Sequence, residues 1–412
     1  KAVFIEGALP GETVLYRTLN RGKTYDLGRM IEIVEASPDR VTPRCQYFGV
    51  CGGCSLQHLR AEAQLPAKQK ILHDNLTRIG KVEPESWLPA LDGPHWGYRR
   101  KARLGARVEQ KKGGVIVGFR EKRTAYLTSL ASCEVLHPRV STLLPALRNL
   151  IATLSTPNRV PQIEVAVGDN ATAFVIRHLV PLTAGDDARL AEFGRQHDIQ
   201  IFRQPGSPDQ LVPVWPENPA PLVYRLPEAG VELEFAPADF IQVNAELNQR
   251  MVTRALELLD PQPAESVLDL FCGLGNFTLP LARRAGRVLG LEAEAVLIEK
   301  AQRNAQHNQI QNAEFRLANL YSLETPDPWG AERFDKWLLD PPRTGAAEVV
   351  KRLPAQGGPR RILYVSCSPG TLARDSDVLV HTKGYRLAAV GVMDMFPQTS
   401  HVEAMALFER AY

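Results

Sequence analysis

Residues 266–284 read SVLDLFCGLGNFTLPLARR. Ser266–Phe271 is a short apolar run of strand type. Gly273 and Gly275 follow, residues free to take the backbone angles of a tight turn, and then a helical pattern begins. A strand, a Gly-rich turn and a helix in that order open a nucleotide-binding α/β unit. The chain beyond repeats the alternation, with VLGLE, AEFRLAN, KWLLDPP and RILYVSCS as strands and helical patterns between them. This order predicts a doubly wound, Rossmann-like α/β domain over residues 236–412.

The turn alone does not choose a cofactor. A dinucleotide fingerprint asks for glycine or alanine at position 278, where this chain has Thr278. S-adenosylmethionine has no pyrophosphate, so it needs close backbone approach without a phosphate cradle. Glu292 ends the second strand, where an acid can accept both ribose hydroxyls; the alternative is a surface glutamate at a strand end. Asn319 ends the third strand, where an adenine edge would lie, and an ordinary turn asparagine is the alternative.

Two further motifs fall at strand ends. Asp340-Pro341-Pro342-Arg343 follows KWLL, and its two prolines make a rigid turn at the carboxyl rim, where ligands bind in such folds. Cys367, in YVSCSP, ends the next strand on the same rim, poised as a nucleophile or packed as a core residue. Cys272, inside the Gly-rich turn, reads as a small packing residue.

Upstream the chain changes character. Residues 203–227 hold seven prolines, which sets a border near them. A hairpin, LVYRLPEAGVELEFAP, turns around Glu228–Gly230. After it Phe240, Val243, Leu247, Met251, Ala255 and Leu258 step by three or four, predicting a helix capped by Asp239. Residues 1–40 hold three β-rich runs separated by turn signals, which suits a five-stranded, OB-like nucleic-acid-binding barrel. From Gln57 to Ile79 the pattern is helical, with Leu65, Ile71, Leu72, Leu76 and Ile79 mostly on one side. Arg99, Lys101 and Arg103 alternate along a strand, so they share a face. That face is ordinary solvated surface or an RNA contact, with Tyr98 or Phe119 for stacking.

Cys45, Cys51 and Cys54 read C-x5-C-x2-C, with glycines 49, 52 and 53 tightening the loop so that three thiolates can converge. A fourth ligand from farther along makes an iron–sulfur site, and Cys133 is a candidate. Zinc is the second reading, although its structural sites favour two short paired spacings.

The 412 residues allow two to four domains. Six cysteines are too few for a disulfide scaffold and fit a reducing cytoplasm, no apolar stretch is long enough for a membrane span, and no secretory signal is evident. Net charge is +3. Residues 1–150 nevertheless carry 24 Lys/Arg against 14 Asp/Glu, and the remainder is net acidic. A basic first third is the footprint of a polyanion partner, or an ordinary solvated basic surface.

The combined motifs resemble the RNA uracil-C5 methyltransferases, and within them the type that modifies 23S ribosomal RNA. The resemblance runs along nearly the whole chain: the cysteine motif with CGGCSLQHL, then DFIQVN, VLDLFCGLGNFTLPLA, LDPPRTGA, YVSCSPGTLARD and HVEAMALFER. Ser368 and Ser55 depart from the commoner Asn and Gln. The resemblance implies an N-terminal TRAM (OB-like) domain at 1–40, a central domain with a 4Fe–4S cluster at 41–235, and the Rossmann-like methyltransferase domain at 236–412. It implies Cys45, Cys51, Cys54 and Cys133 as cluster ligands. It implies Gln242, Phe271, Asn276, Glu292, Asn319 and Asp340 as contacts to S-adenosylmethionine. It implies Cys367 as the nucleophile that adds to uracil C6, Glu403 as the base that removes the C5 proton, and Asp340 where cofactor and uracil meet. The implied partner is 23S rRNA, met by a cytoplasmic monomer with no membrane and no obligate protein partner.

Other classes fit less well. A radical S-adenosylmethionine enzyme needs C-x3-C-x2-C and an open iron. A cytosine-C5 enzyme has a second Cys after the strand-four proline, and an amino-methyltransferase has an aromatic after Asn/Asp-Pro-Pro; here Pro342-Arg343 stands in both places. A non-enzymatic RNA-binding protein would not need Cys367.

Overall fold

A computed structural model describes residues 1–110, 114–206, 210–321, 327–354 and 357–410. Strands Ala313–Leu317, Arg287–Glu292, Ser266–Leu270, Lys336–Leu339, Arg361–Ser366, Glu403–Arg410, Tyr385–Met393 and Ser86–Trp87 lie side by side, in that order, in one eight-stranded sheet. The first five are parallel, as alternating strands and helices require. The doubly wound order expected for the C-terminal part is therefore present. Glu403–Arg410 is the exception: it runs antiparallel to both neighbours. Both faces of the sheet are covered, and its central strands are buried end to end, which is why they read as unbroken apolar runs.

The helix before the Gly-rich turn spans Ala245–Leu259 and starts later than its periodicity suggested. Asn244 caps it, its Oδ1 accepting from the Leu247 N–H at 3.3 Å. Asp239 instead caps the turn at Ala236 and pairs with Lys300. Residues 240–243 stay irregular because the central domain holds them: Arg100 N–H donates to Val243 O at 2.9 Å. Phe240 consequently lies 78% exposed, outside the helix. The hairpin Leu222–Leu226/Val231–Phe235 forms as read, with Gly230 at φ +59°.

A six-stranded sheet contains Lys101–Glu109, Gly114–Gly118, Gln162–Val167, Thr172–Arg177, Gln200–Gln204 and Val212–Trp215. The proline-rich stretch contributes the last of these; its residues 207–209 lie outside the described residues. Two stretches within 41–235 pack on the C-terminal sheet. Ser86–Trp87 extends that sheet, and helix Ala61–Asn75 places Leu72 in its core. The buried face of this helix is Gln64, Lys68 and Leu72, continued by Leu76, whereas Ile71 and Ile79 are exposed. The expected apolar face was thus rotated, because the groups this helix meets include the polar Asp394 and Gln398.

Residues 1–35 form three strands, Ala2–Glu6, Thr13–Arg21 and Tyr25–Glu35, with Tyr25–Glu35 central. These are three of the five strands expected of a barrel. Phe4, Leu15, Ile31 and Val34 of this sheet are exposed. Among the described residues no helix is long and apolar enough to cross a membrane.

Candidate active site and four-cysteine pocket

The carboxyl rim of the large sheet gathers the motif residues. The Gly-rich turn is fixed from below: Phe271 and Cys272 N–H groups donate to Leu291 O at 2.9 and 3.1 Å. Phe271, Gly273 and Gly275 all take positive φ, so the chain doubles back sharply and exposes backbone N–H groups. One of these, on Gly273, donates to Glu292 Oε2 at 3.1 Å. Glu292 Oε1 accepts from Ala293 N–H at 2.6 Å. The acid and the turn are therefore in direct contact.

Cys272 is buried, with its sulfur against Gly290; a methyl group at Gly290 would come within 2.9 Å of it. The packing role read from sequence holds. Phe271 is half-buried, its ring 5.6 Å from that of Tyr321. Asn276 exchanges amide hydrogen bonds with Asn248 at 3.0 Å in both directions and accepts from the Tyr224 hydroxyl at 3.1 Å. Asn319 lies two residues beyond its strand, exposed, with Oδ1 accepting from Tyr321 N–H. Gln242 is partly exposed on the irregular 240–244 segment.

Asp269, in the first strand, is fully buried. Its Oδ2 accepts the Thr278 hydroxyl at 2.5 Å, while Oδ1 has no protein partner. Burial, opposed by that bond and reinforced by Asp340 and Glu292, pushes its carboxyl up to about 8.

Asp340, Cys367 and Glu403 form a second group. Cys367 follows the strand Arg361–Ser366 and precedes helix Pro369–His381. Its turn is tied by Ser366 Oγ, which donates to Ser368 O and accepts from Ser368 N–H, both at 3.1 Å. Beneath it, Tyr364 donates to Asp375 Oδ2 at 2.8 Å, and Ala346 N–H reaches the same oxygen at 2.8 Å. This buried node joins the Asp340–Ala346 turn to the strand that presents Cys367.

Burial, and then the charges of Glu403 and Asp340, raise the Cys367 thiol to about 11, with Arg343 working against them. Burial, and then Asp340, raise Glu403 to about 8; burial raises Asp340 to about 7. Cys367 and Glu403 thus both feel the Asp340 carboxylate at this rim. Two acids that can hold or release a proton near neutrality stand beside a partly enclosed thiol. Arg343 is also held there: its Nη2 lies 3.1 Å from His401 Nδ1. It stood in the Asp-Pro-Pro-Arg motif, but only the packing reveals that its charge reaches both Cys367 and Glu403.

Cys45, Cys51, Cys54 and Cys133 line one cavity of about 230 Å³, walled by Phe119, Leu130 and Val135. The sequence separation of Cys133 from the other three is closed by the fold. Gln57 orders the loop, its Oε1 accepting from Cys45 N–H at 3.0 Å. Burial raises Cys51, raises Cys54 to about 12 and raises Cys133 to about 11. Buried thiols of this kind become stable thiolates when a metal centre binds them. Among the described residues, no three of these sulfurs lie within 4.8 Å of one another.

Several expected RNA contacts are already engaged. Tyr98 is 5% exposed and donates its hydroxyl to Pro397 O at 2.9 Å, so it is not a stacking platform. Lys101 is enclosed between Glu164 and Pro237 O, and burial lowers it to about 8. Arg103 pairs with Glu164 at 2.9 Å but keeps two-thirds of its side chain exposed. Phe119 is partly exposed.

The fold and the acid–thiol cleft define a methyltransferase that takes its methyl group from S-adenosylmethionine. Residues 225–325 and 330–411 match the family model described as tRNA (Uracil-5-)-methyltransferase. The 23S rRNA (uracil(1939)-C(5))-methyltransferase RlmD of Aromatoleum aromaticum is 51% identical over 411 residues, covering 100% of this chain and 95% of that protein. The RlmD of Thiobacillus denitrificans is equally similar over the same shares. Among solved structures, the tRNA (uracil-54, C5)-methyltransferase of Pyrococcus abyssi, in complex with S-adenosyl-L-homocysteine, has a TM-score of 0.75 at 25% identity, over 99% of this chain and 96% of that one. The chain belongs to the RNA uracil-C5 methyltransferase family, and is a transferase that uses S-adenosylmethionine.

Proposed function

We propose that the protein methylates C5 of a uridine in 23S rRNA, the uridine named for its relatives, through a covalent intermediate on Cys367. The observation that carries the reading is the placement of Asp340, Cys367 and Glu403 at neighbouring strand ends on the carboxyl rim.

Uracil C5 is a weak nucleophile, so the ring must first be activated. Cys367 adds to C6 and the C5–C6 electron pair becomes available at C5. Burial and the nearby acids raise the Cys367 thiol to about 11, so its proton passes to solvent as the C6–S bond forms and the sulfur adds as the anion. C5 then takes the methyl group from the sulfonium, leaving S-adenosylhomocysteine. Glu403, as carboxylate, removes the C5 proton; the C5–C6 double bond re-forms and the C6–S bond breaks. Asp340, when ionised, disfavours the Glu403 carboxylate.

Glu292 and the Gly273–Gly275 turn are assigned to the ribose side of the cofactor, with Gln242, Phe271, Asn276, Asn319 and Asp340 as its remaining contacts. Cys45, Cys51, Cys54 and Cys133 would hold a 4Fe–4S cluster; four thiolates leave no open iron, so it orders the surrounding chain. Residues 1–40 are read as a TRAM domain, 41–235 as the central domain and 236–412 as the catalytic domain, in a cytoplasmic monomer. RNA entry is supported by a groove between the N-terminal sheet and the central domain. Arg29, Arg107, Arg120, Lys122 and Arg123 line it, and it extends to Ser400, three residues before Glu403. The target base leaves its stack to reach the cleft.

The test uses 23S rRNA fragments containing 5-fluorouridine, with S-adenosylmethionine. Fluorine cannot leave as a proton, so a covalent protein–RNA adduct should persist on denaturing gels. An adduct formed equally by Cys367→Ala would sink the nucleophile assignment.

A further inference from the structure

The loop 394–402 leads directly into Glu403 and is held from outside its own sheet. Gln398 is 3% exposed and stands at φ +66°, a backbone state that a non-glycine residue keeps only where its surroundings over-determine it. Those surroundings belong to the cysteine segment and the helix after it. Gln398 O accepts from Ser55 and Leu56 N–H at 2.9 and 3.0 Å, the two residues that follow Cys54. Ser400 N–H donates to Ser55 Oγ at 2.8 Å.

Gln64 binds both partners at once. Its Nε2 donates to Leu59 O at 2.9 Å and to Gln398 Oε1 at 3.0 Å, and its Oε1 accepts from Gln398 N–H at 3.0 Å. It is 2% exposed. Lys68, one helical turn on, fixes the start of the same loop through Asp394 at 2.5 Å and Phe396 O at 3.1 Å. Phe396 packs with Cys54 and Cys133 around Tyr98, Val135 and Val243.

We propose that Gln64 is a positioning residue for methyl transfer: its amide locks the segment carrying Cys54 to loop 394–402, and so sets where Glu403 stands relative to Cys367. The proposal rests on the reading of Glu403 as the base. A displaced Glu403 leaves Cys367 free to add to C6 and C5 free to be methylated. It delays removal of the C5 proton, and with it the electron shift that re-forms the C5–C6 bond and breaks the C6–S bond.

Gln64→Met keeps length and apolar stem but removes every hydrogen bond. On ordinary uridine-containing 23S rRNA fragments, anaerobically purified Gln64→Met should accumulate the covalent protein–RNA complex. Its kcat should fall on the order of 10- to 100-fold, the range expected for a misplacement of about 1 Å. The KM for S-adenosylmethionine should not move. Independently of turnover, hydrogen exchange should speed up in peptides spanning 394–402 but not in those spanning Arg361–Ser366. Ser55→Ala, which removes one partly exposed bond to the same loop, should shift both readouts in the same direction by less. It also keeps the question answerable if Gln64→Met folds poorly. Glu403→Gln run alongside separates the two claims. Complex accumulating in Glu403→Gln, with neither complex nor faster loop exchange in the two positioning variants, overturns the proposal alone. No complex in Glu403→Gln overturns the base reading and this proposal with it.

Discussion

Ser366 and Ala404 are register partners across antiparallel strands. Cys367 follows the first and Glu403 precedes the second, so these two residues lie at the same rim. A parallel strand in that place would have sent Glu403 to the opposite end of the sheet. The single antiparallel strand is therefore what assembles the cleft.

The acids at this rim make turnover pH-dependent. In the free protein Glu403 holds its proton up to about pH 8 and Asp340 up to about 7. The base role proposed for Glu403 needs its carboxylate, so kcat/KM should rise with pH and level off only above about pH 8. The positive sulfonium of bound cofactor favours the carboxylates, so the limb measured on kcat under saturating S-adenosylmethionine should lie lower. Equal limbs for kcat and kcat/KM would contradict this electrostatic coupling.

Stability should move the other way. Asp269 is raised to about 8 in the fold from an ordinary carboxylate value. The folded state thus keeps a proton that the unfolded chain releases above about pH 4. The stabilisation is full below that pH and is lost as pH rises through about 8. Asp269→Asn has no proton to release, yet its amide oxygen can still accept from Thr278. Denaturant unfolding of the cofactor-free protein at pH 5 and pH 8 should show a smaller loss for the variant. Equal losses in the two proteins would refute the shift.

The node under Cys367 should be worth measuring directly. Tyr364→Phe removes the 2.8 Å bond to Asp375 and the longer of the two bonds made by Ala346 N–H, which keeps Asp375 as acceptor, all in a buried site. A loss of about 1–3 kcal/mol in unfolding free energy is expected, because part of a buried polar group goes unpaired. The kcat should fall as the Asp340 turn loosens. A loss below about 0.5 kcal/mol would mean that water or Arg374 substitutes for the phenol.

The four-cysteine pocket predicts a metal readout. Anaerobically purified protein should carry about four iron atoms per chain, the content of a 4Fe–4S cluster, with a brown absorbance. Cys133→Ser should lose most of it, although Cys133 lies far along the chain from the other three. Stoichiometric zinc with no iron would overturn the cluster reading.

Much of this was written locally in the chain. The Gly-rich turn, the strands on either side of it, the rigid Asp340–Arg343 turn and the hairpin at 222–235 follow from short-range rules. Each depends on residues within a few positions of one another. Errors arose where a distant partner overrode the local pattern. Residues 240–243 had helical periodicity, but Arg100 claims the carbonyl of Val243. The helix Ala61–Asn75 turned its polar Gln64 and Lys68 inward, because Gln398 and Asp394 wait there to pair with them.

The doubly wound architecture and the kind of cofactor could be read along the chain, since alternating apolar runs and turn chemistry are local properties. Which of the motif residues meet depended on packing between distant segments. Cys133 reached the cysteine loop, Glu403 reached Cys367, and Tyr98 was withdrawn from solvent. Each outcome was set by strand direction and by the need of buried polar groups to find partners, and neither condition is local to any stretch of the chain.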